Sequence, residues 1–580
     1  MTQRWRQPRR PSQQRVPWRR WASHAFSPAG LVLAGLLVLL AFTSALPLYR
    51  LIERALDAQA LAWLLENPQA RRAIQHSLRI STASALLATA IGAALVFLLE
   101  RLALPGRRGL RLLLLVPLVV PPQILAIAWI GWAGPAGFLT RFVRDGLDLP
   151  RVPWTLYGEG GIVLLLTVFA LPVTYLTIGA GLSRVPRHLE EAARLDGASL
   201  PVVGVRILAP LLRPYLLAAV MLAFLAALGN FGIPALLGIP ARFLTLPTLV
   251  YQRVTSFASG GFSQAAALAL LMAIPALAVL LLQLRLNRRA ATLDSQLEAP
   301  HRYRLGPWRW PLAAGVWLVV GGMMTVGPFG SMLLTSLTRA YGVRPTLDNL
   351  DFRHYAFVLQ RLEAFPRALT HSLLLAGGAA AIAAVIALAL GYVLLRLGGR
   401  GTLLQLLVDL PYALPGIVFA LALVLTWLPS PIPGLRLYGT VWLLGLAYVG
   451  HYLAFALQPI GAAWRQLDPA LEEAARIDGA GTLQAMRFVL LPVMAPTVVV
   501  AALLVFLNAF SEISLSALLA GSRAETLGWL VFGLEQAGDT NRAAALSVVL
   551  VAVLGVLGLV VAALRRWARR DAPGGPEAIV

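Results

Sequence analysis

The chain has 580 residues, 58% of them hydrophobic and only 13% charged, too little polar surface to cover a soluble fold, so it reads as a polytopic membrane protein. Its formal charge of +23 does not mark a nucleic-acid partner, because the basic residues gather at the chain ends and between apolar runs, with no basic stripe interleaved with aromatics. Cys and Lys are both absent, which excludes disulfides, thiolate metal sites and the lysine-ended phosphate loop of an ATPase, so any ATP-driven step belongs to another chain.

In chain order, a basic cytoplasmic tail (1–28) precedes a first half (29–284) with apolar runs near 29–48, 79–99, 110–132, 160–182, 211–231 and 264–284. The run 29–48 is read as a retained helix, although Thr43-Ser44-Ala45 has the look of a signal cleavage site. A basic cytoplasmic linker (285–309) leads to a second half (310–566) with runs near 311–336, 372–395, 403–427, 437–461, 493–513 and 543–564. A cytoplasmic tail, 567–580, follows. The predicted fold is therefore all-α, a bundle of about twelve spans as two homologous six-helix halves. Arginines 4, 6, 9 and 10 ahead of the first span, Arg101, Arg107 and Arg108 after the second, Arg396 and Arg400 after the eighth, and Arg565 and Arg566 at the end place both termini in the cytoplasm.

The chain repeats itself. The ten residues Leu189 to Ala198 return as Leu471 to Ala480 with nine identities, at an offset of 282 that also relates Pro210 to Pro492. Upstream, Pro117 and Pro121 match Pro411 and Pro415 at 294, and His76-Ser77-Leu78 matches His371-Ser372-Leu373 at 295. Both copies start on the same side, so the repeat is parallel. The two histidines fall just before spans, at headgroup level. No histidine spacing of a metal motif occurs, so no resident metal and no cofactor is expected. The prolines can kink pore-lining helices or merely packing ones.

The repeated segments occupy cytoplasmic loops 186–214 and 468–496. Each reads as a short helix with Glu190 four residues before Arg194, or Glu472 before Arg476, as an ion pair. Gly197 or Gly479 then ends the helix in the left-handed conformation. The alanine pairs Ala192-Ala193 and Ala474-Ala475 leave one face small enough for a partner's groove. An interfacial helix with no partner is the plainer alternative. Glu191-Ala192-Ala193, Gly197, Ile207 and Pro210, and again Glu473-Ala474-Ala475, Gly479, Val489, Leu491 and Pro492, resemble the Glu-Ala-Ala loop of binding-protein-dependent ABC importer permeases. Ala209 departs from the usual Leu, and Val489 from the usual Ile. The resemblance implies a multi-pass inner-membrane subunit of a bacterial ABC importer, served by two ATPase subunits and a solute-binding protein, without enzymatic activity of its own. It also implies that Glu190, Glu472 and the motif residues just named couple the chain to those ATPases.

Beyond the loops, Gly229-Asn230-Phe231-Gly232-Ile233-Pro234 and Phe510-Ser511-Glu512-Ile513-Ser514 resemble segments of fused permeases of the ferric-iron importer group. Asn230 stands where that group often has Asp. The resemblance implies ferric iron as substrate; thiamine, aminoethylphosphonate and polyamine permeases are alternatives of the same plan. Glu512 is the first pathway candidate, followed by Asn230, Asn508 and Asp409, because an ionisable group beside a span usually faces a cavity and ferric iron prefers oxygen ligands. Simple hydration at the outer ends of the spans explains Glu512 and Asn230 equally. A secondary transporter of the major-facilitator kind also has two six-span halves, but the duplicated loop and the scarcity of intramembrane carboxylates speak against it.

Overall fold

The computed structural model describes residues 28–256, 259–290, 302–303, 305–521 and 524–570; the arginines ahead of the first span, much of the linker and residues 571–580 lie outside this set. The described residues are helical throughout, apart from loops and two isolated bridges, Leu102 with Tyr303 and Thr338 with Leu350. Ten helices are long and apolar enough to cross a membrane, or twelve if each of two bent pairs is one span. Every expected run has its helix, but several bounds shift. The run expected at 79–99 belongs to a continuous Pro68–Arg101, and the first span runs on to Ala55. In both, polar turns continue a helix that hydropathy alone ends early.

The spans expected at 110–132 and 403–427 are not single helices. Arg107–Val119 stops before Val120 and Pro121, and a new helix begins at Pro122. Thr402–Ala413 and Gly416–Trp427 meet at 108° across Leu414 and Pro415. Proline lacks an N–H and forces the residue before it out of helical geometry, so the same proline breaks the same span in each half. Val120 and Leu414 are accordingly extended, with ψ of 129° and 141°.

Without a hydrophobic drive between helices in lipid, close packing of small residues holds them together. A Cβ on Gly391 would lie 2.6 Å from Trp464 Cδ1, and one on Gly92 would lie 2.5 Å from Thr174 Oγ1. These glycines of the second span therefore make room for side chains of the fourth, Trp464 in the second half and Thr174 in the first. Ala376, Ala380, Ala383 and Ala387 are buried along the same face of Ala364–Leu397.

The two halves are interlaced. Leu33–Ala55 packs between its own sixth span and the second half's Gly416–Trp427, where Phe42 meets Trp427 at 5.7 Å between ring centroids. Gly306–Leu337 does the converse: Ser331 Oγ donates to Ala128 O at 3.0 Å and Thr325 Oγ1 to Leu113 O at 3.4 Å, both in the first half's third span. One buried cluster accordingly holds Leu36, Leu40 and Leu51 together with Phe419, Leu421 and Tyr448.

A duplicated latch ties each second span to the segment after the fifth. His76 Nδ1 donates to Leu244 O (2.9 Å) while Leu246 N donates to Ser77 Oγ (2.7 Å). His371 Nδ1 donates to Glu525 O (3.1 Å) and Leu527 N to Ser372 Oγ (2.9 Å). The histidines that headgroup placement would explain thus hold loops instead.

Candidate functional site

Each repeated segment folds as a short helix, Arg187–Leu195 or Pro469–Ile477, set between two spans. Gly197 and Gly479 both have φ of +83°, and Ala198 N and Ala480 N donate five residues back to Ala193 O and Ala475 O at 2.9 Å. These are the left-handed helix ends that the glycines imply. The chain then runs through Leu200–Leu211 and turns by 76° into Arg213–Leu228. Pro210 lies in the last turn of Leu200–Leu211, at that bend, and Pro492 lies within the continuous helix Met486–Phe510, just after its π-helical opening.

The expected ion pair within the helix forms in one copy only. Arg476 Nη2 lies 2.7 Å from Glu472 Oε1, whereas Glu190 turns away from Arg194 and meets Arg101 Nη2 at 2.7 Å. Burial explains the choice. Glu190 is 4% exposed, so its charge needs a buried countercharge, and Arg101, ending the second span, is 3% exposed. Arg194 donates instead to Ala198 O at 3.2 Å, and Arg396, in the matching place of the second half, contacts Glu472 together with Tyr392 Oη. Both loops are thus anchored through the first glutamate of the motif to the arginine that closes the second span. Glu191, Glu473, Ala192 and Ala474 remain exposed, Ala193 is half-buried and Ala475 is buried.

The inter-half linker completes the first anchor alone. Tyr303 bridges Leu102 through its backbone, accepting from Ala103 N at 3.0 Å and donating to Arg101 O at 2.8 Å, while its phenol donates to Glu190 Oε2 at 3.0 Å. Burial, and then the Glu190 carboxylate, push that phenol up to about 12, so it stays a donor at physiological pH.

Two exposed apolar side chains escaped the reading of the motif. Leu195 and Ile477 are 89% and 86% exposed and stand at the same place in the two copies, at the last turn of each helix. An apolar residue at that point, repeated at the 282 offset, was the available signal.

At the other candidate region the two halves meet. Asn230 Oδ1 accepts from Ile233 N at 3.0 Å, starting the buried helix Gly232–Gly238. Glu512 accepts from Leu515 N at 2.7 Å and Ser516 N at 3.1 Å, starting the buried helix Ser516–Leu519. The paired positions therefore share one local role, a polar cap on a short buried helix. Asn230 is 6% exposed and Glu512 half-buried. Their neighbours abut Gln123, at the break in the third span: a Cβ on Gly232 would lie 3.3 Å from Gln123 N, and Gln123 Nε2 donates to Ser511 O at 3.1 Å. The second break closes on the same place, where a Cβ on Gly229 would lie 3.4 Å from Pro415 and one on Gly416 3.7 Å from Glu512 Oε1. Among the described residues no cation pairs with Glu512. Asn508, one turn before Glu512, is exposed and donates to Leu504 O at 2.8 Å, and Asp409 is half-buried on Thr402–Ala413. The described residues hold no group of three or more His, Asp or Glu able to bind a metal ion.

The family model described as "Binding-protein-dependent transport system inner membrane component" matches residues 104–292 and again 383–572. Among curated relatives, the "Probable ABC transporter permease protein y4fN" of Sinorhizobium fredii is 29% identical over 513 residues, 87% of this chain and 88% of its own. The "Fe(3+)-transport system permease protein FbpB 2" of Haemophilus influenzae is 25% identical over 546 residues, 92% and 97% of the two chains. The "Molybdenum transport system permease protein ModB" of Escherichia coli is 30% identical over 210 residues, 36% of this chain but 89% of its own, so its match amounts to about one half.

Proposed function

Because the chain belongs to the family of binding-protein-dependent transport system inner membrane components, we propose that it forms by itself the whole translocation unit of an ABC importer for ferric iron. It is a multi-pass ABC permease, and the duplicated docking helix is the observation that carries the further reading. Two loops of the same sequence, each anchored to the end of a second span, provide two equivalent levers for two ATPase subunits, with 29–284 and 310–566 as the paired halves. In this reading both loops and both termini face the cytoplasm. Glu191, Glu473, the alanine pairs and Gly197 and Gly479 shape the docked surface, while Glu190 and Glu472 hold it in register.

Iron is supported by the ferric permease relatives, which align along most of both chains, and by Glu512 at the meeting of the breaks. A carboxylate with no paired cation suits a hard trivalent ion and repels an oxyanion. That charge argument weighs against molybdate, which the half-length relative suggests. Asn230, Asn508 and Asp409 are proposed to lie along the same route. The test is reconstitution with the ATPase and the solute-binding protein encoded beside this chain. ATP-dependent uptake of ferric iron, and a mass of one permease to two ATPases, is expected. Uptake of molybdate and not iron, or a permease dimer, overturns the reading.

A further inference from the structure

At the end of the second span remote from the coupling loop, a cleft of about 430 Å³ opens between the start of Pro68–Val96 and the turn before Leu246–Thr255. Arg72, Arg242, His76 and Gln69 line it, and its lining contains no carboxylate. A third guanidinium stands behind it: Arg253 lies 4.6 Å from the Trp63 ring centroid and donates to Gln69 Oε1 at 3.0 Å. Arg72 and Arg242 are exposed and, among the described residues, make no ion pair; Glu66, the nearest acid in sequence, makes none either. Arg242 sits at φ +55°, an unfavourable conformation for a side-chain-bearing residue, on a turn closed by Phe243 N donating to Gly238 O at 2.9 Å. The fold holds an arginine in a strained position that presents it to the cleft.

The second half differs at the matching place. The same latch recurs there, so Arg72 corresponds to Arg367 and Leu244 to Glu525. In that copy the Glu525 carboxylate lies 3.9 Å from the Arg367 guanidinium, and the site supplies its own anion. In the first half the same place carries Leu244, and the arginines keep their charge unmatched. We infer that the first-half cleft is the seat of a carboxylate from outside the chain, an acidic side chain on the solute-binding protein, and that it sets how strongly that protein docks. The inference rests on reading the chain as a binding-protein-dependent permease. It needs only that the cleft be at the opposite end of Pro68–Arg101 from the Arg101–Glu190 anchor, which it is.

The occupant follows from charge and position. Two exposed guanidiniums at a rim favour association with an acidic protein surface and make it salt-dependent. The asymmetry between halves gives a two-lobed partner one orientation, since the second half carries at the matching place a carboxylate that the first half lacks.

The test uses the permease–ATPase complex in lipid nanodiscs, with the solute-binding protein encoded beside it titrated as activator of ATP hydrolysis. Arg72→Glu with Arg242→Glu should raise the half-saturating concentration of that protein about tenfold and flatten its salt dependence, leaving basal and maximal rates unchanged. Leu244→Glu, which copies the second half, should do the same with the latch intact, because His76 bonds to the backbone of residue 244. Glu525→Gln should leave half-saturation as it is. Wild-type half-saturation and salt dependence in both the arginine and the Leu244 variants, with the wild type responding normally, overturns this inference alone. A wild-type complex that the binding protein does not stimulate overturns the permease reading, and this inference with it. Inorganic phosphate protecting Arg72 from phenylglyoxal, where the binding protein gives no protection, would show a small-anion site instead of a docking surface and overturn the inference too.

Discussion

Arg101 and Glu190 form an ion pair at 2.7 Å with side chains only 4% and 5% exposed, while its counterpart in the second half, Arg396 with Glu472, is 34% and 18% exposed. The buried pair is a contact of charges more than an aligned bond, since Glu190 Oε1, the atom facing Arg101 Nη2, accepts no aligned hydrogen bond among the described residues. Its removal from one side is therefore the more damaging change. Glu190→Ala should destabilise the solubilised protein by about 3 kcal/mol by stranding a buried cation. Glu472→Ala should cost about 1 kcal/mol. Thermal unfolding in detergent checks the order, and Arg101→Met combined with Glu190→Leu should recover most of the loss. Equal effects of the two single variants would contradict the assigned asymmetry.

Gly197→Val and Gly479→Val test the helix ends. At both, a Cβ would meet nothing within 4 Å, so the effect is confined to a backbone held at φ +83°. A β-branched residue there should cost on the order of 1–2 kcal/mol and tilt the docking helix. Insertion and expression should survive while ATPase stimulation and uptake fall. Wild-type coupling in the double variant would remove these turns from the coupling element.

Leu195→Asp and Ile477→Asp probe the exposed apolar pair. Neither side chain is covered, so folding stability should change by less than about 0.5 kcal/mol. Burying such a side chain in a partner's groove contributes about 1.5–3 kcal/mol, so ATPase-subunit affinity should fall at least about tenfold for each. Co-purification and titration of the ATPase read this directly, and unchanged affinity in the double variant would show that the tips do not dock.

Glu512→Gln separates charge from capping. The amide keeps a carbonyl to accept from Leu515 N, so stability should move by less than about 1 kcal/mol, whereas Glu512→Ala should lose about 1–2 kcal/mol of cap. Iron uptake should drop sharply in both. Normal uptake in Glu512→Gln would leave Glu512 as a cap only.

Glu535 predicts a pH dependence. It lies between the last two spans, its carboxylate accepts from Thr540 Oγ1 at 3.3 Å, and burial raises it from 4.5 to about 7. A carboxyl raised on folding binds more protons in the native state, so its contribution is intact below pH 4.5 and is lost as pH rises through about 7. Glu535→Gln should therefore match the wild type near pH 4.5 and exceed its stability above about pH 7, by on the order of 1–3 kcal/mol. Parallel melting curves across that range would show that the carboxyl is not buried.

The spans and the duplicated loops were legible because a bilayer demands about twenty apolar residues per crossing and because a repeated ten-residue segment is improbable by chance. The breaks at Pro121 and Pro415 were not, since hydropathy scores a bent pair and a straight helix alike. Glu190 was paired with Arg194 from their spacing, yet burial favoured Arg101, 89 residues earlier in the chain. Asn230 and Glu512 were legible as a matched pair, but their capping of the short buried helices depends on loop geometry that composition does not encode. The crossing of the first spans left no local mark at all, because a helix's partner is decided by the other half's third span.

That crossing has a consequence for how the molecule is put together. During synthesis the first span emerges long before Gly416–Trp427, the wall it will lean on, has been made. It must wait in lipid with part of its packing face unmatched until that helix is inserted, so the order of packing cannot follow the order of the gene. A chain cut within the linker would still carry on each fragment a helix destined for the other, like two pieces of joinery that hold without a peg. The covalent connection keeps the two unlike halves together, and through Tyr303 it adds a contact of its own to the first anchor.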